Sequence, residues 1–397
     1  MRKFYLLGFL SAGWILSSIV FPQAVLSIQK AITSDNSQGS SLSSYDPDPN
    51  KICNADYSAK WFGIVSNYVW ENSDGVIDAC VMLSPSHQKL TKPVILVEGF
   101  DPQANYNFSA IYSIANRPNS SNEKMVEKLL SQGYDLVMVN HHNGFDAIQR
   151  NGLSLVTLME DINYETGGKE PNILIGASMG GLVSRYALNS MEQNSKRHNV
   201  KLFVSFDSPQ EGANVPLGLQ SLVRFFAEGV PVDVGVAKNA WAIINTKAAR
   251  QMLLYHRTMV QSNQVLESSE RQQLRADLGA YPISSRRVAI ADGSGQGLLQ
   301  KGSNGSRLNP GNQLIQYWQE SSVNGWPVYV TIQGDVFALP ISNQRIFDGL
   351  LHQPDTGGDH TEKVFVNNVY PLDGSSGGYS TQVGDIAHPL GSANGVE

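Results

Sequence analysis

Ser178 is the residue whose surroundings most clearly suit it to nucleophilic chemistry. It stands in Gly176-Ala177-Ser178-Met179-Gly180. The apolar run 172–175 before it reads as a short strand, and 182–191 after it has helical spacing. A serine on a tight strand-to-helix turn projects its hydroxyl away from the sheet. Side chains at Gly176 or Gly180 would collide with the neighbouring strand or helix, so the turn requires glycine at both. The helix N-terminus turns its N–H groups, beginning with that of Met179, towards the place where an oxyanion would form. The plain alternative is a serine that only caps a helix behind a buried strand. Strand, turn and helix falling in this order favour the nucleophile. A free hydroxyl attacks poorly at neutral pH, so Ser178 needs a base. The histidines after it are His198, His256, His352, His360 and His388. His198 follows a polar helix end and reads as solvent-facing.

The elements that must position this serine alternate between strand and helix. Pro93-Val94-Ile95-Leu96-Val97 is an apolar strand ending in Glu98-Gly99-Phe100-Asp101-Pro102. Residues 125–132 read as a helix closed by Gly133, 135–140 as a buried strand, 147–163 as a helix and 200–206 as a strand. Such alternation predicts an α/β fold, a mostly parallel sheet with helices on both faces. Sites form at the carboxyl ends of strands in these sheets. Three turns at strand ends carry polar or glycine-rich sequence: Glu98-Gly99-Phe100, the serine turn, and Asp207-Ser208-Pro209. Residues 213–280 then carry apolar groups at helical spacing with no clear strand, and predict a helical cap or lid. Strand character returns at 287–291, then at 328–333, 344–347 and 363–366, the last three forming an antiparallel β meander. No internal repeat is found.

With 397 residues, 41% hydrophobic and 16% charged, the chain can bury a large core. A net charge of −6 with no basic stripe argues against nucleic acid and against standing attraction to anionic membranes. Met1-Arg2-Lys3, an apolar run over 4–20, and Val25 and Ser27 at signal-cleavage spacing predict a signal peptide over 1–27. The same run is long enough to stay as an uncleaved anchor. Residues 28–50 read as a flexible Ser/Asp/Pro-rich tether. Residues 51–90 read as an accessory segment of hairpin or edge strands, 91–212 as the core, and 281–397 as its C-terminal part bearing the meander. The two cysteines, Cys53 and Cys80, lie in the exported part and predict one disulfide, with two free buried thiols as the alternative. Closing that loop would stabilise by about 3–4 kcal/mol. His141-His142 lacks the company of a metal site, and Asp292-Gly293-Ser294-Gly295 has no following helix to cradle phosphate. No metal or cofactor is expected.

The serine turn, Glu98-Gly99-Phe100-Asp101-Pro102 and the strand order resemble the α/β-hydrolase superfamily. The resemblance is to its lipase-like and lecithin–cholesterol-acyltransferase-like members, and nearest to uncharacterised secreted bacterial hydrolases. It covers about residues 91–215 well and the remainder loosely. It implies the α/β-hydrolase fold. It also implies that the Phe100 backbone N–H joins that of Met179 in an oxyanion hole, with Glu98 standing where the superfamily has histidine. The order along such chains is Ser, then Asp or Glu, then His. That order points to His388 as the base, with His360 as alternative and a surface loop as the inert reading. Asp373, in a glycine-rich loop like the acid loop of acyltransferase-like members, is the first acid candidate. Asp292 follows the strand at 287–291 and Asp207 follows that at 200–206; each is equally readable as an ordinary turn aspartate. Ser208-Pro209-Gln210 resembles a Pro-His-x-Gly segment with Gln for His, or is a plain proline turn.

The expectation is therefore a monomeric, exported serine esterase of lipid-like or other small apolar esters. The apolar cap residues Leu217, Leu219, Val223, Phe225 and Phe226 suggest transient contact with a lipid interface. Two other readings stand beside it: an acyltransferase of the same fold, and a catalytically silent binding or cell-surface protein.

Overall fold

The computed structural model describes residues 58–102, 107–119, 121–213, 215, 217–228, 235–290, 313–322, 329–337, 344–353 and 358–367. The signal-peptide and tether expectations, with Cys53, Asp292, Asp373 and His388, fall outside the described residues. Two compact units emerge. The first takes the described part of Ala24–Gln210 with Gln273–Ala291, the second that of Glu211–Gln272 with Asp292–Glu397.

The chain begins with β1 (Ser58–Trp70), β2 (Ser73–Met82), β3 (Pro93–Val97), α1 (Phe108–Ala115), α2 (Met125–Ser131) and β4 (Asp135–His141). It continues with α3 (Ile148–Thr166), β5 (Asn172–Ala177), α4 (Met179–Gln193) and β6 (Val200–Phe206). Next come α5 (Leu217–Glu228), α6 (Gly235–Ile244), α7 (Lys247–Met252), β7 (Val260–Gln261), β8 (Gln264–Val265), α8 (Ser269–Leu278) and β9 (Arg286–Ile290). Four strands follow: β10 (Gln313–Ser322), β11 (Tyr329–Phe337), β12 (Gln344–Gln353) and β13 (Gly358–Val366).

The first unit is built on a seven-stranded sheet in the order β1-β2-β4-β3-β5-β6-β9. Strands β4, β3, β5, β6 and β9 run parallel, and β1 and β2 are antiparallel. A parallel strand covered on both faces has no polar side, and all five residues of β3 are buried. On one face Cys80, Val94, Leu96, Leu136 and Met138 pack with Phe108 and Ile111 of α1 and Val126 of α2. The alternate residues Ile95, Val97, Val137 and Val139 are buried too, towards the opposite face. There α3 packs against β1 and β2, and α4 against β5 and β6. Each fully buried aliphatic side chain contributes roughly 1.5–3 kcal/mol. Helices α3 and α4 cross closely: a Cβ on Gly152 would lie 2.5 Å from Cδ1 of Tyr186.

The hairpin β1–β2 forms one edge of the sheet, the second of the two readings of this segment. Its tip, Glu71-Asn72, has φ of 47° and 59°, the left-handed pair that matches strand twist, and β2 joins β4 directly. Ile77, Ala79, Cys80 and Val81 are each fully buried, so β2 supplies core rather than covering it. Cys80 is bonded rather than a free thiol. At the opposite end of the sheet from the serine turn, buried Asp135 holds the β2–β3 connection. Its carboxylate accepts the N–H groups of Ser84 (2.8 Å), Thr91 (2.7 Å) and Lys92 (3.1 Å) and contacts His87 Nδ1 at 2.8 Å.

In the second unit α5 is buried on two sides. Leu217, Leu222, Phe225 and Phe226 pack with Ile346, Phe347, Val364 and Val366 of the antiparallel sheet β10-β11-β12-β13. Leu219, Val223 and Ala227 pack with Ala240, Trp241, Ile244 and Leu253. The strand contact is tight, since a Cβ on Gly349 would sit 2.8 Å from Phe225 Cε2. Glu362 of β13 pairs with Arg257 at 2.6 Å, and Glu228 of α5 accepts Trp241 Nε1–H at 2.5 Å. The helical segment and the meander therefore share one core. The meander has four strands where the sequence suggested three, and the helical segment carries the two-residue pair β7–β8. The apolar residues that suggested a lipid-facing cap (Leu217, Leu219, Val223, Phe225 and Phe226) are interior to this unit. Their hydrophobicity is explained by packing and gives no ground for a lipid interface. Among the described residues no helix is long and apolar enough to cross a membrane.

Candidate active site

The carboxyl ends of β3, β4, β5 and β6 meet on one edge of the first unit. Ser178 lies between β5 and α4 with φ 51° and ψ −122°, a conformation that side chains other than glycine rarely adopt. Its N–H donates to the Phe206 carbonyl at 2.9 Å, and its carbonyl accepts the Gly181 N–H at 3.1 Å. Gly176 and Gly180 are the glycines the turn demands. A Cβ on Gly176 would come 2.3 Å from the Gly180 carbonyl oxygen, and one on Gly180 would come 2.3 Å from that of Glu98. Two further glycines serve the same packing and were not singled out from the sequence. A Cβ on Gly181 would overlap Ser208 Oγ, and one on Gly99 would lie 3.2 Å from Ser178 Cβ. The signal for Gly99 was present, since glycine in a strand-end turn marks close backbone approach.

The Glu98–Asp101 turn thus abuts the serine directly. Phe100 is buried in it and Met179 is buried at the first turn of α4. The turn is tied to its neighbours by backbone: Glu98 N–H donates to the Val139 carbonyl and Asp101 N–H to that of Gly144, at 3.4 and 3.1 Å. Glu98 is itself buried, and its Oε1 accepts the backbone N–H of His141. Burial raises its pKa well above the usual carboxylate value, the His141 N–H opposes that, and Asp101 and Asp78 add to the rise. His141 at the end of β4 is buried, and among the described residues neither ring nitrogen has a hydrogen-bond partner. Burial, reinforced by neighbouring His142, lowers its pKa to about 3, so the ring is neutral at ordinary pH. His142 instead pairs with Asp78 at 2.9 Å.

Asp207 follows β6 immediately. Ala177 and Phe206 are register partners, so Asp207 stands beside Ser178 on the adjacent strand end. Its φ is 45°, and its N–H donates to the Ile290 carbonyl at 2.6 Å. Ser208 packs on Gly181, and Gln210 bridges Ser205 Oγ (3.0 Å) and Arg185 Nη1 (3.3 Å). Ser178, Met179, Phe100 and Asp207 are therefore brought together within the first unit. His360 belongs to the second, in β13 opposite Leu351. His198 is buried, contrary to the solvent-facing expectation. Its Nδ1 accepts the Val200 N–H at 2.9 Å and its Nε2 meets Glu192 at 3.2 Å, an arrangement that fixes the turn into β6. His256 is buried in the second unit, stacked on Trp241 with centroids 5.7 Å apart.

A parallel sheet in this strand order, with a serine at positive φ between β5 and the following helix, decides the architecture. The fold is that of an α/β-hydrolase. No family model matches the chain, and no curated protein matches it in sequence. Among solved structures, Est1E from Butyrivibrio proteoclasticus is 10% identical, with a TM-score of 0.28 over 60% of this chain and 89% of that one. A Pyrobaculum calidifontis esterase is 11% identical, with a TM-score of 0.32 over 68% of this chain and 81% of that one. The Bacillus licheniformis lipase BlEst2 in its propeptide form is 16% identical, with a TM-score of 0.32 over 56% and 39%. These likenesses are remote, and the fold rests on strand order and the serine turn.

Proposed function

We propose that the chain is an exported serine hydrolase that cleaves carboxylic esters, of lipid-like or other apolar acyl groups, through an acyl-enzyme on Ser178. The observation that carries this reading is Ser178 itself. It is held at φ 51° on the strand–helix turn, with Gly99 of the neighbouring turn so close that a Cβ there would lie 3.2 Å from Ser178 Cβ. Backbone strain of this kind persists where the surroundings enforce it, and functional sites are where it gathers. In the reaction Ser178 Oγ attacks the carbonyl carbon while a histidine takes its proton. The N–H groups of Met179 and Phe100 hold the oxyanion, each worth about 3 kcal/mol. The carbon–oxygen bond to the alcohol then breaks, the histidine returns its proton to the leaving alkoxide, and water resolves the acyl-enzyme by the same steps. His388 is the proposed base, with His360 its competitor. Asp373 is the proposed orienting acid. Asp292 and Asp207 compete with it, and Asp207 gains support from its place beside Ser178. A disulfide between Cys80 and Cys53, the chain's other cysteine, would suit an oxidising compartment and supports export.

Turnover of short p-nitrophenyl esters by Asp373→Asn, Asp292→Asn, Asp207→Asn, His388→Ala and His360→Ala tests these roles. One aspartate and one histidine variant should each lose about 10⁴-fold in kcat, as removal of a triad member does. Wild-type turnover in all five, or no turnover by the folded wild type, would overturn the reading.

A further inference from the structure

The Glu98–Asp101 turn is where a side chain reaches out from the oxyanion side of the site to a neighbouring strand. Glu98 points its carboxyl into the interior, and Oε1 receives the His141 backbone N–H at the end of β4. The same residue's carbonyl oxygen lies against Gly180, and the next residue, Gly99, lies against Ser178. One side chain thus links β4 to the piece of backbone on which the Phe100 amide depends. We infer that Glu98 is a positioning residue for the oxyanion hole, its carboxyl pinning the Gly99–Phe100 turn to the end of β4 so that the Phe100 N–H faces the acyl oxygen. This rests on the reading of Ser178 as nucleophile.

The chemistry of the surroundings says in which form Glu98 does this. The titratable groups around it are Asp101 and Asp78, both raising its pKa, together with His141 and His142 on β4 and the residue after it. The His141 ring is itself kept neutral and supplies no countercharge. Among the described residues buried Oε2 has no hydrogen-bond partner, and leaving an oxygen so placed costs far less in the neutral acid than in the ionised carboxylate. An ionised Glu98 would also repel the negative charge that develops on the acyl oxygen nearby. Glutamine matches the neutral acid in size and charge. Aspartate is one methylene too short to reach the His141 N–H.

The test uses the full-length protein, a p-nitrophenyl ester and a fluorophosphonate probe. Glu98→Ala and Glu98→Asp should each lower kcat by about 10- to 100-fold with KM within about twofold, part of the loss seen when an oxyanion donor is removed outright. Fluorophosphonate labelling should slow in parallel. Glu98→Gln should rescue most of the lost kcat and keep the shape of the pH–rate profile. A merely structural role would instead lower the melting temperature and leave kcat per labelled site unchanged. If Glu98→Ala does not fold, the Asp and Gln pair decides. Wild-type kcat and labelling rate in folded Glu98→Asp, or a Gln variant as slow as Asp, would overturn the inference while the wild type still labels. A folded wild type that never labels would instead remove the Ser178 reading and this inference with it.

Discussion

Ser178→Gly is expected to be about 1 kcal/mol more stable than the wild type and at least about 10⁴-fold slower in ester turnover. The two effects have one origin. A serine at φ 51° and ψ −122° carries steric strain on the order of 1–3 kcal/mol, which glycine does not feel. Part of that gain is offset, because glycine gives the unfolded chain more freedom to lose. Turnover falls because the attacking oxygen is gone while the Met179 and Phe100 amides remain. Urea unfolding at constant m-value, set beside p-nitrophenyl ester rates, measures both. A glycine variant less stable than the wild type would mean that the turn is not strained. One that keeps more than a few per cent of turnover would mean that Ser178 is not the nucleophile.

The second large effect is on stability against pH, and it comes from two buried groups with opposite signs. His141 has a folded pKa of about 3 against 6.5 for the free side chain. Between those values the unfolded chain binds a proton that the native state refuses, so its contribution is full above pH 6.5 and lost as pH falls. At roughly 1.4 kcal/mol per unit the loss approaches about 5 kcal/mol by pH 3. Glu98 is shifted the other way: raised above 4.5 by burial, it favours the native state fully below that pH. Its contribution is lost as pH rises towards its folded pKa. Above pH 4.5 the two slopes oppose each other, His141 favouring the native state as pH rises and Glu98 as it falls; below pH 4.5 that of His141 acts alone and stability falls with pH. Urea unfolding across this range should show His141→Gln gaining on the wild type by about 5 kcal/mol between pH 7 and pH 3. A difference that stays flat with pH would contradict the buried neutral ring.

Much of this was legible in the sequence, for reasons that can be named. The strands β3 and β4 announced themselves because strands covered on both faces are apolar throughout. The serine turn was legible because Gly176 and Gly180 have no steric alternative. Other features were hidden because their cause is not local. Nothing in β2 says that it pairs with β4; that partnership joins residues about sixty apart and decides for edge strands over a separate accessory hairpin. The tip Glu71-Asn72 takes left-handed φ without the glycine that would have signalled it. Helix α1, Phe-Ser-Ala-Ile-Tyr-Ser-Ile-Ala, is eight residues long and rich in residues that favour strands. Strand β10, Gln-Leu-Ile-Gln-Tyr-Trp-Gln-Glu-Ser-Ser, is polar enough to pass for loop. The apolar face of α5 was visible, but not that both of its sides meet partners within its own unit. The charged neighbours of His198 suggest a surface ring; its burial is possible because Glu192 and the Val200 N–H satisfy both ring nitrogens. Glu98 looked like a neutral exchange for histidine in a motif. Only the packing shows a buried acid against β4.

Covalent capture is the sharpest test of whether Ser178 is an armed nucleophile. Folded wild-type protein is treated with a fluorophosphonate, digested, and its peptides weighed. A single adduct is expected on the peptide carrying Ser178, absent from Ser178→Ala. A folded wild type without adduct, or an adduct that survives in Ser178→Ala, would contradict it.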